Sequence, residues 1–148
     1  MLADRIEQEI VIEAPPEVVW ELVTDPDHVG VWFGDAAEID LRPGGDAALT
    51  WEGYGTFLAR VEKVEPPRFF SFRWARPTDT PPAEGNSTLV EFSLSAEGEG
   101  TRLRVVESGF DTLALPEDEK AQRLADNTEG WKVELGHLRD YAAKAASR

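Results

Sequence analysis

Residues 126–146 read Asp-Asn-Thr-Glu-Gly-Trp-Lys-Val-Glu-Leu-Gly-His-Leu-Arg-Asp-Tyr-Ala-Ala-Lys-Ala-Ala, and the spacing of their apolar members decides the fold. Trp131, Leu135, Leu138, Ala142 and Ala145 recur at steps of four, three, four and three, which is one stripe of an amphipathic helix. Asp126 with Glu129 three residues on resembles a capping box, so the spacing predicts a final helix from there to about residue 146. Residues 116–119 (Pro-Glu-Asp-Glu) read as a separate, short helix start. Gly130, next to the expected start, eases the cap. Gly136 falls on the outward side of the wheel with no packing purpose, although a glycine inside a helix costs about 1 kcal/mol against alanine.

Upstream of this helix the period is two. Ala47, Leu49 and Trp51 share one face, as do Phe57, Ala59 and Val61, then Phe70, Phe72 and Trp74, then Val90, Phe92 and Leu94, then Leu103 and Val105. Turn residues separate these runs: Pro43-Gly44-Gly45, Gly53 and Gly55, Pro66-Pro67, and Gly98 with Gly100. Residues 38–41 supply one more short strand, and residues 76–86, with three prolines and Gly85, an exposed loop. Alternation turns Arg73 to the outer face, and Arg42 belongs to a solvated turn. Ahead of the sheet, residues 6–13 form a first strand. A helix then runs from Pro16 or Glu17 to the stop at Asp25-Pro26, and a second short one covers 27–33 and closes at Gly34. The predicted class is α+β: a curved antiparallel sheet of about six or seven strands wrapped around a long C-terminal helix, with two short helices after strand 1. Each element has one apolar face, so sheet and helix must bury against each other.

Composition sets the other limits. The 148 residues carry 29 acidic and 15 basic side chains, a net charge of −14, which argues against nucleic acid and anionic membranes as partners. With no cysteine, there is no disulfide framework, thiolate zinc site, iron–sulfur cluster or cysteine nucleophile. One domain spanning 1–148 fits this length. Met1 to Arg5 lead into charged residues without an apolar signal core, and no apolar run reaches the ~20 residues of a bilayer span, so a cytoplasmic protein is expected.

Several motifs together resemble a known family. They are Ile12-Glu13-Ala14-Pro15-Pro16-Glu17-Val18-Val19-Trp20 with Leu22, Thr24-Asp25-Pro26 and Trp32-Phe33, followed by Leu41-Arg42-Pro43-Gly44-Gly45. Val64-Glu65-Pro66-Pro67-Arg68 then leads to Phe72-Arg73-Trp74, and Gly100-Thr101-Arg102-Leu103 to Ser108-Gly109-Phe110. Gly130-Trp131, Leu135, Leu138 and Tyr141 close the set. In order and spacing they resemble the activator of heat-shock-protein-90 ATPase homologue (AHSA-like) family of the SRPBCC superfamily, the START-like, birch-pollen-allergen-like, helix-grip proteins. The resemblance implies a hydrophobic cavity between the sheet and the C-terminal helix. It leaves activity open, because the superfamily includes ligand carriers, polyketide cyclases and aromatases, and a co-chaperone domain.

The candidate cavity lining is accordingly Trp32 and Phe33 from the helical pair, Trp51, Phe57, Phe70, Phe72, Trp74 and Phe92 from the sheet, and Trp131, Leu135 and Leu138 from the helix. Plain core packing is the alternative for each. Candidate polar groups are His28, beside the Asp25-Pro26 stop, and Glu134, His137 and Tyr141, which flank the apolar stripe; a solvated surface is the alternative for these. No two histidines stand at metal-ligand spacing and no Ser–His–Asp grouping is evident, so no metal or cofactor is expected. Gly44-Gly45 and Gly53-x-Gly55 lack the strand-to-helix context of a phosphate loop and are turns. The expected function is binding of a small hydrophobic or aromatic ligand. A cyclase-like enzyme, or a co-chaperone-like domain whose acidic surface meets a basic protein partner, are the alternatives.

Overall fold

The structure, a computed structural model, describes residues 5–146; Met1 to Asp4, Ser147, Arg148 and the side chains of Ala145 and Ala146 lie outside the described residues. The alternating segments form β1 (Arg5–Ile12), β2 (Ala36–Ile39), β3 (Asp46–Trp51), β4 (Gly55–Glu65), β5 (Phe69–Ala75), β6 (Ser87–Glu97) and β7 (Gly100–Ser108). They make one antiparallel sheet in the order β1-β7-β6-β5-β4-β3-β2. Strands β2 to β7 are a meander. β1 lies along β7 from Arg5 opposite Ser108 to Ile12 opposite Thr101.

β2 ends two residues earlier than the sequence suggests. Asp40 already belongs to the turn, its carbonyl accepting the Arg42 N–H at 2.8 Å. The helical pair falls close to expectation, as α1 (Pro16–Thr24) and α2 (Pro26–Trp32). Asp25 serves both helices: it ends α1, and its carboxylate accepts the Asp27 N–H at 2.9 Å to cap α2.

The last helix differs most from the sequence reading. The two helical signals are one element, α3 (Glu117–Ala146), thirty residues long. Asp126 is therefore inside the helix and caps nothing; its carboxylate accepts from Gln122 Nε2 at 2.8 Å. Lys120 to Ala125 are good helix formers, and Glu117, Asp118 and Glu119 suit the positive end of the dipole, so nothing between the two signals interrupts the backbone.

Register places the apolar residues of neighbouring strands side by side on the concave face: Val61 opposite Phe72, Phe70 opposite Phe92, Phe92 opposite Val105, and Leu94 opposite Leu103. Trp131, Leu135, Leu138 and Ala142 of α3 are buried against this face. Full burial of each of the two leucines stabilises the fold by roughly 1.5–3 kcal/mol. The convex face is polar, with Arg102 paired to Glu9 at 2.8 Å, Arg104 to Glu7 at 3.0 Å and Arg73 to Glu62 at 3.2 Å. Among the described residues no helix is long and apolar enough to cross a membrane.

Candidate functional site

Near the ends of β3 and β5 the sheet and the first half of α3 do not close on each other, and a cavity of about 650 Å³ remains between them. That is the size of a site for a small organic molecule. Its apolar wall is a cluster of rings. Phe33, just after α2, is the hub, with centroids 5.0 Å from Trp51, 5.7 Å from Trp74 and 5.2 Å from Trp131, the last two stacked at 24° and 16°. Phe57 adds an edge-to-face contact with Trp51 at 5.4 Å. Gly34 makes this approach feasible: its φ is +83°, and a Cβ there would lie 2.7 Å from the Thr50 carbonyl and 3.0 Å from the Trp51 ring.

Behind the rings lies a buried carboxylate. Glu107 follows Leu103 and Val105 in the same alternation on β7, so the strand carries it to the concave face, where it is 0% exposed. Its Oε2 accepts from Trp74 Nε1 at 2.8 Å and Thr88 Oγ1 at 2.6 Å, and its Oε1 from Trp131 Nε1 at 2.9 Å. Asn127 Nδ2 donates to both oxygens at 3.2 Å. All four donor residues line the cavity. One carboxylate thus fixes two indole planes and two polar wall groups. Among the described residues no buried side-chain nitrogen or oxygen lacks a partner.

The helical wall is a second stripe of α3 beside the apolar one: Arg123, Asn127, Gly130 and Glu134, at steps of four, three and four. Gly130 sits mid-helix, and a Cβ built on it meets nothing within 4 Å, so the helix backbone is bare to the cavity at this point. Its purpose is therefore not to ease a cap. Glu134, its side chain 14% exposed, accepts the Gly34 N–H at 3.2 Å and lies 3.5 Å from His137 Nδ1. Burial raises its pKa above the ordinary glutamate value; the Gly34 hydrogen bond and His137 oppose that rise and Asp35 adds to it. At the rim stand Arg76 and Asn86, the two ends of the proline-rich loop, with the 81% exposed Tyr54, while buried Leu113 adds to the apolar wall.

The structure divides the candidate residues into two groups. Phe33, Trp51, Phe57, Trp74, Trp131 and Glu134 are brought together around the cavity. Trp32, Phe70, Phe72, Phe92, Leu135 and Leu138 belong instead to the closed core and do not line the cavity, although Trp32 packs on Phe33, Phe72 on Trp74 and Phe92 on Trp131. His28 and Tyr141 pair with each other, Nδ1 to Oη at 2.6 Å, outside the cavity, and the His137 side chain is 58% exposed. Glu107, Thr88, Asn127, Arg76 and Arg123 were not singled out from the sequence. For the first two a signal existed, since Glu107 continues Leu103 and Val105 and Thr88 precedes Val90 and Phe92 at the same parity.

A curved antiparallel sheet closed over one long helix, with two short helices after its first strand, defines an α+β protein of the helix-grip type. The chain belongs to the family described as activator of Hsp90 ATPase homolog 1-like protein, whose family model matches residues 13–143. No curated protein matches the chain in sequence. Among solved structures it is similar to protein MLL2253 from Mesorhizobium loti (TM-score 0.80, 22% identity, 95% of this chain and 97% of that one). It is also similar to DynU16, described as a protein in the dynemicin biosynthetic locus (TM-score 0.75, 28% identity), across 97% of this chain but 48% of the other. A third likeness is to the Aha1 dimer from Colwellia psychrerythraea (TM-score 0.73, 22% identity, 93% of this chain and 95% of that one).

Proposed function

We propose that the protein binds a small, flat, hydrophobic molecule between its sheet and α3. The observation that carries this reading is the aromatic-walled cavity of about 650 Å³ whose two central indoles are held by one buried carboxylate. Rings locked in place before a ligand arrives lose little freedom on binding, which favours a planar occupant. The likeness to DynU16, a protein of a biosynthetic locus, supports a small organic molecule as the occupant. Titration with N-phenyl-1-naphthylamine, a neutral two-ring fluorophore, tests the reading. The expected result is saturable quenching of tryptophan emission with one-to-one stoichiometry, and an absence of saturable binding by this and comparable flat apolar compounds overturns it.

A second reading has one specific observation in its favour. Glu134 is an ionisable group on the cavity wall whose raised pKa suits proton exchange with a bound ring. Cyclase-like chemistry would then fall on Glu134, with Gly34 and His137 as its partners. Turnover of a polyketide-like substrate that is abolished in E134Q, with binding retained, would favour this reading over simple carriage.

A further inference from the structure

We propose that Arg76 and Arg123 form an anion-recognising end of the cavity, so that the ligand is a flat apolar body bearing an oxyanion such as a carboxylate or sulfonate. This rests on the cavity being a ligand site, as proposed above, and adds the chemical class of the ligand. Both side chains line the cavity, Arg76 from the end of β5 and Arg123 from the first half of α3. Arg123 is half-buried yet has no hydrogen bond or ion pair with any described residue. The Arg76 side chain has only a 3.5 Å hydrogen bond to Asn127 Oδ1 and a place 5.5 Å above the Phe57 ring. Two cations facing one space, neither in an ion pair, are unexpected in a chain with 29 acidic residues.

The nearby acids do not fulfil the role of partner. Glu107 is the nearest deep carboxylate, but its two oxygens already accept five hydrogen bonds from Trp74, Thr88, Trp131 and Asn127. Asn127 stands between it and Arg76. Asp126 lines the same stretch of wall, but its carboxylate accepts from Gln122 at 2.8 Å. Glu134 belongs to the far end, eleven residues and ~16 Å along the helix. Burial lowers the Arg123 pKa, and the like charge of Arg76 adds to this, while Glu107, Asp126 and Glu119 oppose it. A bound oxyanion would relieve the repulsion between the two guanidinium groups and offer each a charge-assisted hydrogen bond. The apolar part of the same molecule would lie over Gly130 toward Trp51.

The test compares two probes that share a ring system: 8-anilinonaphthalene-1-sulfonate, which carries an oxyanion, and neutral N-phenyl-1-naphthylamine. R123Q and R76Q are each expected to weaken the sulfonate by about tenfold or more and to leave the neutral probe unchanged, with R123K keeping most of the sulfonate affinity. Both arginines lie on the cavity wall rather than in the core, and unchanged thermal midpoints would show that the variants are folded. Equal losses for both probes, or no loss for either, overturn the anion site while leaving the cavity reading intact. If neither probe binds the unaltered protein, the cavity reading fails, and this inference falls with it.

Discussion

The concave face of the sheet has two ends built from the same kinds of residue, and one is filled while the other is hollow. At the filled end Phe70, Phe72 and Phe92 meet Trp32, and the space left among them is about 20 Å³, lined only by apolar side chains. At the hollow end Trp51, Phe57, Trp74, Phe33 and Trp131 pack together into one wall of a space of about 650 Å³. Ring contacts are equally close in both places: 5.6 Å for Phe70 and Phe72, and 5.7 Å for Phe33 and Trp74. Aromatic content therefore does not distinguish core from cavity. Polar groups do. The hollow end holds Glu107, Thr88, Asn127, Glu134 and two arginines, and it faces a helix turn with no side chain at Gly130.

The contrast can be broken most severely at the filled end. F70A should cost about 3–5 kcal/mol in chemical denaturation, because the lost ring leaves a void in a closed core; Phe70 packs on Trp20, Phe72 and Phe92 and not on the cavity rings. N-phenyl-1-naphthylamine affinity measured on the folded fraction should hardly change; a large loss of affinity would mean the two ends are not independent. E107Q comes next. Its amide nitrogen would face indole, hydroxyl and amide donors that now meet an acceptor, so a loss of about 2–3 kcal/mol is expected. Here the probe affinity should fall too, since the indole planes lose their common anchor. Equal affinity in E107Q and the unaltered protein would show that the rings need no such support.

Smaller effects sharpen the comparison further. G130A should stabilise the helix by up to about 1 kcal/mol and yet weaken probe binding, because the new methyl group projects into the cavity. A variant that is both more stable and equally good at binding would remove Gly130 from the site. E134Q should have the smallest effect, ~2 °C in thermal midpoint. Glu134 has a raised folded-state pKa, so its contribution to stability is present below the ordinary glutamate range, about pH 4, and is lost as pH rises through the raised value. E134Q should thus match the unaltered protein at low pH and exceed it near neutrality. The opposite slope would contradict the assigned cause.

How much of this was legible in the sequence follows the same divide. Period two gave the strands from Ala47 to Val105, and the stripe from Trp131 to Ala142 gave the face of α3 that closes the core, because burial on one side leaves a repeating apolar signal. The start of α3 is not marked locally, because Asp126 and Glu129 have the local chemistry of a cap, while continuity through residues 120–125 depends on having no reason to stop. The cavity was less legible. Trp74 and Phe72 sit two residues apart on one face, yet one lines open space and the other lies in the closed core. Which of them does so depends on where α2 and α3 come to rest. Arg76 and Arg123 are 47 positions apart in sequence, and nothing local to either announces the other.

The five tryptophans provide the most direct measurement of the central claim that the hollow end is the ligand site. Each indole N–H gives its own resonance, and the five divide between the ends. Trp51, Trp74 and Trp131 line the cavity; Trp20 packs on Phe70, and Trp32 donates to the Leu22 carbonyl at 2.7 Å. Titrating N-phenyl-1-naphthylamine while recording nitrogen–proton correlation spectra should shift the signals of Trp51, Trp74 and Trp131 along one binding curve and leave Trp20 and Trp32 in place. Five unmoved signals, or shifts confined to Trp20 and Trp32, would contradict the account.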